Sequence, residues 1–217
     1  MPASRQPKDQ ETGMIVVAGV GRVAVRPDVA DLRLGVAVAR PTVEPARTEA
    51  AATMESILAA VRGAGVERRD IRTTLLSVQP RYDYRDNQSP VLTGYELANA
   101  VEVTVRDLAR VGEVVDASLG AGATSLDSLS FRLADPEPAE REARVLAMAA
   151  ARARADVLAE AAGLQIFGVS DIVEAGASPP PMPRMKAERM MLADSPTPIE
   201  AGSMEVVVGV TVTYRAR

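Results

Sequence analysis

The chain has 217 residues, 47% of them hydrophobic, 25% charged and only 3% aromatic, which is enough for one or two domains with a substantial core. It holds no Cys and no His, which excludes a disulfide framework, a Cys–His nucleophile, a Ser–His–Asp triad and zinc bound by Cys or His. The formal net charge is −4, with a pI near 5.1 and a mean hydropathy of +0.02. That is the balance of a globular protein whose overall charge does nothing to attract nucleic acid.

Residues 1–12 are polar and read as a disordered tail without the apolar run of a secretory leader, so no signal peptide is expected in the chain as written. The longest apolar run, Met14 to Val20, is too short to span a membrane. Met14–Val25 is rich in strand formers, with Gly19 and Gly21 suggesting a bulge or bend. After the turn Arg26-Pro27-Asp28, Leu32, Leu34, Val36 and Val38 alternate with Arg33, Gly35, Ala37 and Ala39 as in a half-buried strand. Thr42 is placed to cap a helix whose Val43, Ala46, Ala50, Met54, Ile57, Leu58 and Val61 fall on one face, ended by Gly63 and Gly65. Ile71–Val78 reads as a strand ended by Pro80, followed by a polar loop over 81–92. In the next strand, Tyr95–Arg106, the residues Leu97, Val101, Val103 and Val105 share a parity.

Asp107 is placed to cap a short helix with Leu108, Val111, Val115 and Leu119 inward, and Leu126–Leu133 is a further strand. Asp135-Pro136 opens a long Ala-rich helix to Ala162, about 40 Å at 1.5 Å per residue. The spacing predicts Leu146, Ala150, Ala153, Val157 and Leu158 facing in, and small residues on that face imply close approach to a sheet or helix. Strands follow at Val169–Glu174 and Met204–Tyr214, the latter with Val206, Val208, Val210, Val212 and Tyr214 on one side. Between them, 176–203 is a Pro/Met-rich loop. The order β-α-β-β thus occurs around 29–106 and again around 125–215, as in an internal duplication within one domain, 13–217. The expected class is α+β, with mostly antiparallel sheets and helices packed on one face.

Gly19-Val20-Gly21-Arg22-Val23-Ala24 spells the dinucleotide fingerprint, but that site needs its glycines to open a helix. Val23 to Val25 favour a strand and Pro27 blocks a helix, so the glycines are assigned to strand geometry. No phosphate-binding P-loop and no G-x-S-x-G elbow occurs, and Asp83, Asp86 and Asn87 lack EF-hand spacing. Tyr82, Asp83, Tyr84, Tyr95, Glu96 and Asn99 form a polar-aromatic cluster near one hairpin that could house an acid–base pair, although nothing in the spacing favours catalysis. Met182, Met185, Met190, Met191 and Leu192 lie among prolines, read either as a solvated loop or as an adaptable apolar surface for a neighbouring subunit or partner.

Taken in order, several of these features resemble one family. Gly19-x-Gly21-x-Val23-x-Val25-x-Pro27-Asp28 leads into Ala30, Leu32 and Val36. Gly94-Tyr95 is followed by Asn99, Val101, Val103, Val105, Asp107 and Leu108, and Gly120-Ala121 precedes Phe131. The long helix ends in Ala161-Ala162-Gly163, and Pro198-Ile199-Glu200-x-Gly202 precedes a Val-alternating strand. Over residues 13–215 this order resembles the SIMPL domain family. The resemblance implies an α+β fold and large ring- or barrel-like homo-oligomers in bacterial members. Those members include periplasmic or envelope antigens and proteins linked to oxidative stress, and an animal member is associated with a pelle-like kinase. It implies no established catalytic residue.

The expected function is therefore that of a non-enzymatic, self-assembling protein in the cell envelope or the oxidative-stress response. No cofactor, nucleic-acid partner or membrane span is expected. The alternative is a peptide- or ligand-binding module that uses an exposed strand edge such as 204–214. A third reading, a hydrolase or isomerase, would draw on Asp83 and Glu96 with the neighbouring tyrosines.

Overall fold

The computed structural model describes residues 13–84, 89–175 and 197–217. Their strands form two antiparallel sheets, each belonging to a separate unit of the chain. The expected tail 1–12 and most of the expected loop 176–203 lie outside the described residues.

The first unit holds β1 (Gly13–Val25), α3 (Glu137–Ala162), β6 (Ile166–Ala175) and β7 (Met204–Ala216), with strand order β1-β7-β6. β1 and β7 pair without a break from Gly13↔Ala216 to Val25↔Met204, so the bulge expected at the glycines is absent. The glycines serve the helix instead. α3 turns Ala139, Ala143, Ala147, Ala151, Ala155 and Ala159 onto the sheet. A Cβ on Gly19 would stand 2.0 Å from the Ala147 carbonyl oxygen, and one on Gly21 1.9 Å from that of Ala143. Helix backbone thus rests on strand backbone, beside Ile15, Val17, Val208, Val210, Val212 and Tyr214.

Close approach was legible, but the face of α3 was not. Leu146 and Leu158, expected inside, are 43% and 49% exposed, and Val157 is 65% exposed. A helix lying on glycine leaves no depth for Leu or Val beneath it, so the contact face is the Ala ridge and the larger residues point away. Asp135 Oδ1 accepts the Glu137 N–H at 3.0 Å at one end of α3. Gly163, at φ 70°, closes the other.

The second unit holds β2 (Val29–Arg40), α1 (Val43–Gly63), β3 (Ile71–Asp83), β4 (Val91–Val105), α2 (Val111–Gly120) and β5 (Ser125–Arg132). Its strand order is β3-β4-β2-β5. Leu32, Leu34, Val101 and Val103 meet Ala50, Ile57 and Val61 of α1 and Val111 and Val114 of α2 in one core. Thr42 stands at the N-cap of α1 but its side chain caps nothing. β3 runs through Pro80 because it is an edge strand, where proline removes no bond of the β4 ladder. In α2, Leu119 is exposed and Ser118 is buried, its hydroxyl donating to the Val114 carbonyl at 2.6 Å.

Pairing also redraws the repeat. β2, α1, β3 and β4 make a helix-covered triplet of order β2-β4-β3, and β1, α3, β6 and β7 make the corresponding triplet β1-β7-β6. The strand read as the start of the second copy, β5, pairs with β2 from Val29↔Arg132 to Gly35↔Ser125. The place that corresponds to β2 is filled by β1, from the far end of the chain.

Candidate functional site

The residues singled out as an assembly surface, Met182, Met185, Met190, Met191 and Leu192, lie outside the described residues. The hairpin cluster is described and does not converge. Tyr82 and Tyr84 approach ring to ring at 6.4 Å. Glu96 sits between Gln79 and Ala39 and Asn99 between Leu76 and Val36, three positions apart on β4 and so on opposite faces of the sheet. Asn99 Oδ1 is buried without a hydrogen-bond partner among the described residues, beside the apolar side chains of Val36 and Leu76.

Carboxylates with perturbed ionisation lie elsewhere, Asp31 where β2, β4 and β5 meet and Asp70 just before β3. Asp31 accepts from Arg132 Nε at 2.6 Å and from the Thr104 hydroxyl at 2.7 Å. Burial pushes its carboxyl up, but the bonds from Arg132 and Thr104, with the charges of Arg132 and Arg106, outweigh this and leave the pKa below its ordinary value. Asp70 accepts from Arg106 at 2.6 and 2.9 Å, and that guanidinium holds its pKa down against burial. Carboxylates held this way are fixed anions that tie strands together, unsuited to carry a proton near neutral pH. Among the described residues, no group of three or more acidic side chains is placed to hold a metal ion.

The described residues also present apolar surfaces. β6 carries Phe167, Ile172 and Val173 at 47%, 52% and 54% exposure, and Met14 and Val16 of β1 are exposed too. β1 and β6 each pair with β7 alone among the described residues. β7 is therefore the middle strand, which corrects the expectation that 204–214 offers a free edge: its backbone is occupied on both sides. Arg154 donates to the carbonyl of Ala18 on the open side of β1. Beside it lies a groove of about 520 Å³ lined by Val17, Ala18, Ala153, Val157 and Leu158. In the other unit a cavity of about 320 Å³ is lined by Leu58, Arg62, Arg68, Ile71, Thr73 and Val101. None of these surfaces stood out in the sequence, because each depends on which strand ends at a sheet edge.

No helix of the described residues is long and apolar enough to cross a membrane. The family model described as "SIMPL: Protein of unknown function (DUF541)" matches residues 15–214. The chain is 35% identical to the "26 kDa periplasmic immunogenic protein" of Brucella melitensis, over all of this chain and 91% of that protein. It is 30% identical to "Uncharacterized protein YggE" of Escherichia coli K12, over 86% of this chain and 74% of that protein. A match running from β1 to β7, with relatives aligned through both sheets, makes the chain a member of the SIMPL family.

Proposed function

We propose that the protein is a non-enzymatic structural component of the bacterial cell envelope that works as a homo-oligomer, assembling through the sheet of β1, β7 and β6. The observation that carries this reading is β6. It is an edge strand with Phe167, Val169, Ile172 and Val173 exposed, the surface that folded proteins ordinarily cover to avoid uncontrolled pairing. The periplasmic name of the Brucella relative supports the envelope. A role in the oxidative-stress response rests on the family resemblance alone.

Light scattering coupled to size exclusion tests the proposal. A single high-mass particle is expected for the full chain, and a smaller one for Ile172→Lys with Val173→Lys. A monomer at micromolar concentration overturns it. Deleting 178–195, which spares Thr197 and Ile199, asks separately whether Met182, Met185, Met190, Met191 and Leu192 contribute.

The groove beside β1 favours a second reading, a module that captures an extended apolar peptide by adding it to the β1 edge. The backbone of Val16, two residues from Ala18, faces the same open side, so Val16→Pro spares the β7 ladder. That variant should abolish capture of a valine-rich synthetic peptide, read by fluorescence anisotropy; unchanged capture discards the reading.

A further inference from the structure

We infer that the cavity between α1 and β3 binds an amphiphilic anion, a carboxylate on a single aliphatic chain. The head sits between Arg62 and Arg68, and the tail runs over Leu58, Ile71 and Val101 toward Leu76 and Val78. Leu58 and Arg62 lie one turn apart on α1, and Ile71 and Thr73 alternate onto the same face of β3, with Val101 across from Thr73. The floor is therefore aliphatic and the rim cationic.

Charge identifies the head. The neighbours of Arg68 are neutralised: Arg69 pairs with Glu67 at 3.1 Å and Arg72 with Glu102 at 2.8 Å. No carboxylate of the described residues pairs with Arg62 or Arg68 in the same way. Arg62 is held in place through Nε, which donates to the Leu58 carbonyl at 2.9 Å. That leaves its two terminal nitrogens for a ligand. Two guanidiniums with open donors beside one cavity, that of Arg62 held through Nε, suit a planar carboxylate.

The bare face of the outer strand identifies the tail. α1 packs on β2 and β4. Beyond the irregularity between Thr73 and Leu75, β3 presents Leu76 opposite Asn99 and Val78 opposite Leu97. Leu97 is buried, whereas Leu76 and Val78 are exposed. A run of uncovered aliphatic side chains thus continues from the cavity along β3. A volume of about 320 Å³ is at the small end of ligand pockets, which fits one chain rather than a two-chain lipid.

The inference is independent of the assembly surface on β6. Isothermal titration calorimetry with dodecanoate, below micelle formation, tests it on the full chain. Saturable binding of one dodecanoate per chain is expected, with dodecanol at least about tenfold weaker and acetate silent, because head and tail must act together. Arg62→Gln and Arg68→Gln should each weaken dodecanoate about tenfold or more, and Thr73→Phe should fill the cavity and abolish binding. Arg72→Gln, on the opposite face of β3, should leave binding unchanged. Circular dichroism melts confirm that each variant is folded. Absence of saturable binding, or affinity unchanged in the Arg62→Gln/Arg68→Gln double variant, overturns the site. Tighter binding of an apolar peptide with a free C-terminal carboxylate overturns the assignment of its ligand.

Discussion

The Cα of Gly21 and the carbonyl of Ala143 are so close that a Cβ on the glycine would stand 1.9 Å from the oxygen. The obstacle is helix backbone, which cannot rotate aside. Gly21→Ala must therefore lift α3 from β1, at a cost at or above the roughly 3 kcal/mol upper range of ordinary overpacking. At Gly63, the last residue of α1, a Cβ meets nothing within 4 Å, and Gly63→Ala should add about 0.5–1 kcal/mol by helix propensity. Urea denaturation of the two variants compares them directly. Equal effects would refute the backbone contact.

The Ala ridge makes a related prediction about adjacent residues of α3. Ala147→Leu forces a side chain into a space held by Gly19, and should cost more than about 3 kcal/mol. Leu146→Gln, one residue earlier on the exposed side, should change stability by less than about 0.5 kcal/mol in the same assay.

Acid should act on the second unit through Asp31 and Asp70. Both have a folded pKa below the ordinary carboxylate value. Their contribution is complete above the unfolded value of about 3.9 and is lost as pH falls through the lower folded value. Asp31→Asn and Asp70→Asn should each reduce stability at neutral pH, and should flatten its fall between about pH 5 and pH 2. Thermal melts across that range read both effects. A variant that is less stable at pH 7 but equally acid-sensitive would assign the sensitivity elsewhere.

Asp116 on α2 accepts from the Thr197 N–H at 3.1 Å and from its hydroxyl at 2.6 Å. The hydroxyl bond first, then the amide, hold the Asp116 pKa below its ordinary value. Two residues on, Ile199 packs against the core. Asp116→Ala should speed exchange of the Thr197 amide at least about tenfold, since each charge-assisted bond is worth on the order of 1.5–3 kcal/mol. Hydrogen exchange read by mass spectrometry over a peptide that begins several residues before Thr197 and ends by 203 checks this, and unchanged protection would mean that Ile199 alone anchors the segment.

Much of the architecture could be read from residue order, for reasons visible at particular positions. Leu97, Val101, Val103 and Val105 are buried at the expected parity because that face of β4 meets α1 in one core. Asp107 accepts the Ala109 N–H at 3.1 Å, as a cap should. What resisted reading was relational. Leu146 and Leu158 look like core residues until Gly19 and Gly21 are known to lie beneath Ala147 and Ala143. Met204–Tyr214 looks like a free edge until β1 is found pairing with it along its whole length. The cavity of Arg62 and Arg68 needs α1 and β3 side by side, and local patterns report neither pairing nor adjacency.

The partnership of Gly13 with Ala216 has a consequence in time. A ribosome releases β1 long before β7, and 183 positions separate Arg22 from its bond partner Glu205. All four strands of the other sheet emerge within residues 29–132, so they can zip together while synthesis continues. β1 must wait without its β7 partner until residues 204–216 have been made, and closing so long a loop is slow. The nascent chain is therefore most vulnerable to aggregation or chaperone capture at β1. A circular permutant that links Ala216 of β7 directly to Gly13 of β1 and opens a surface turn would turn this long-range contact into a local hairpin.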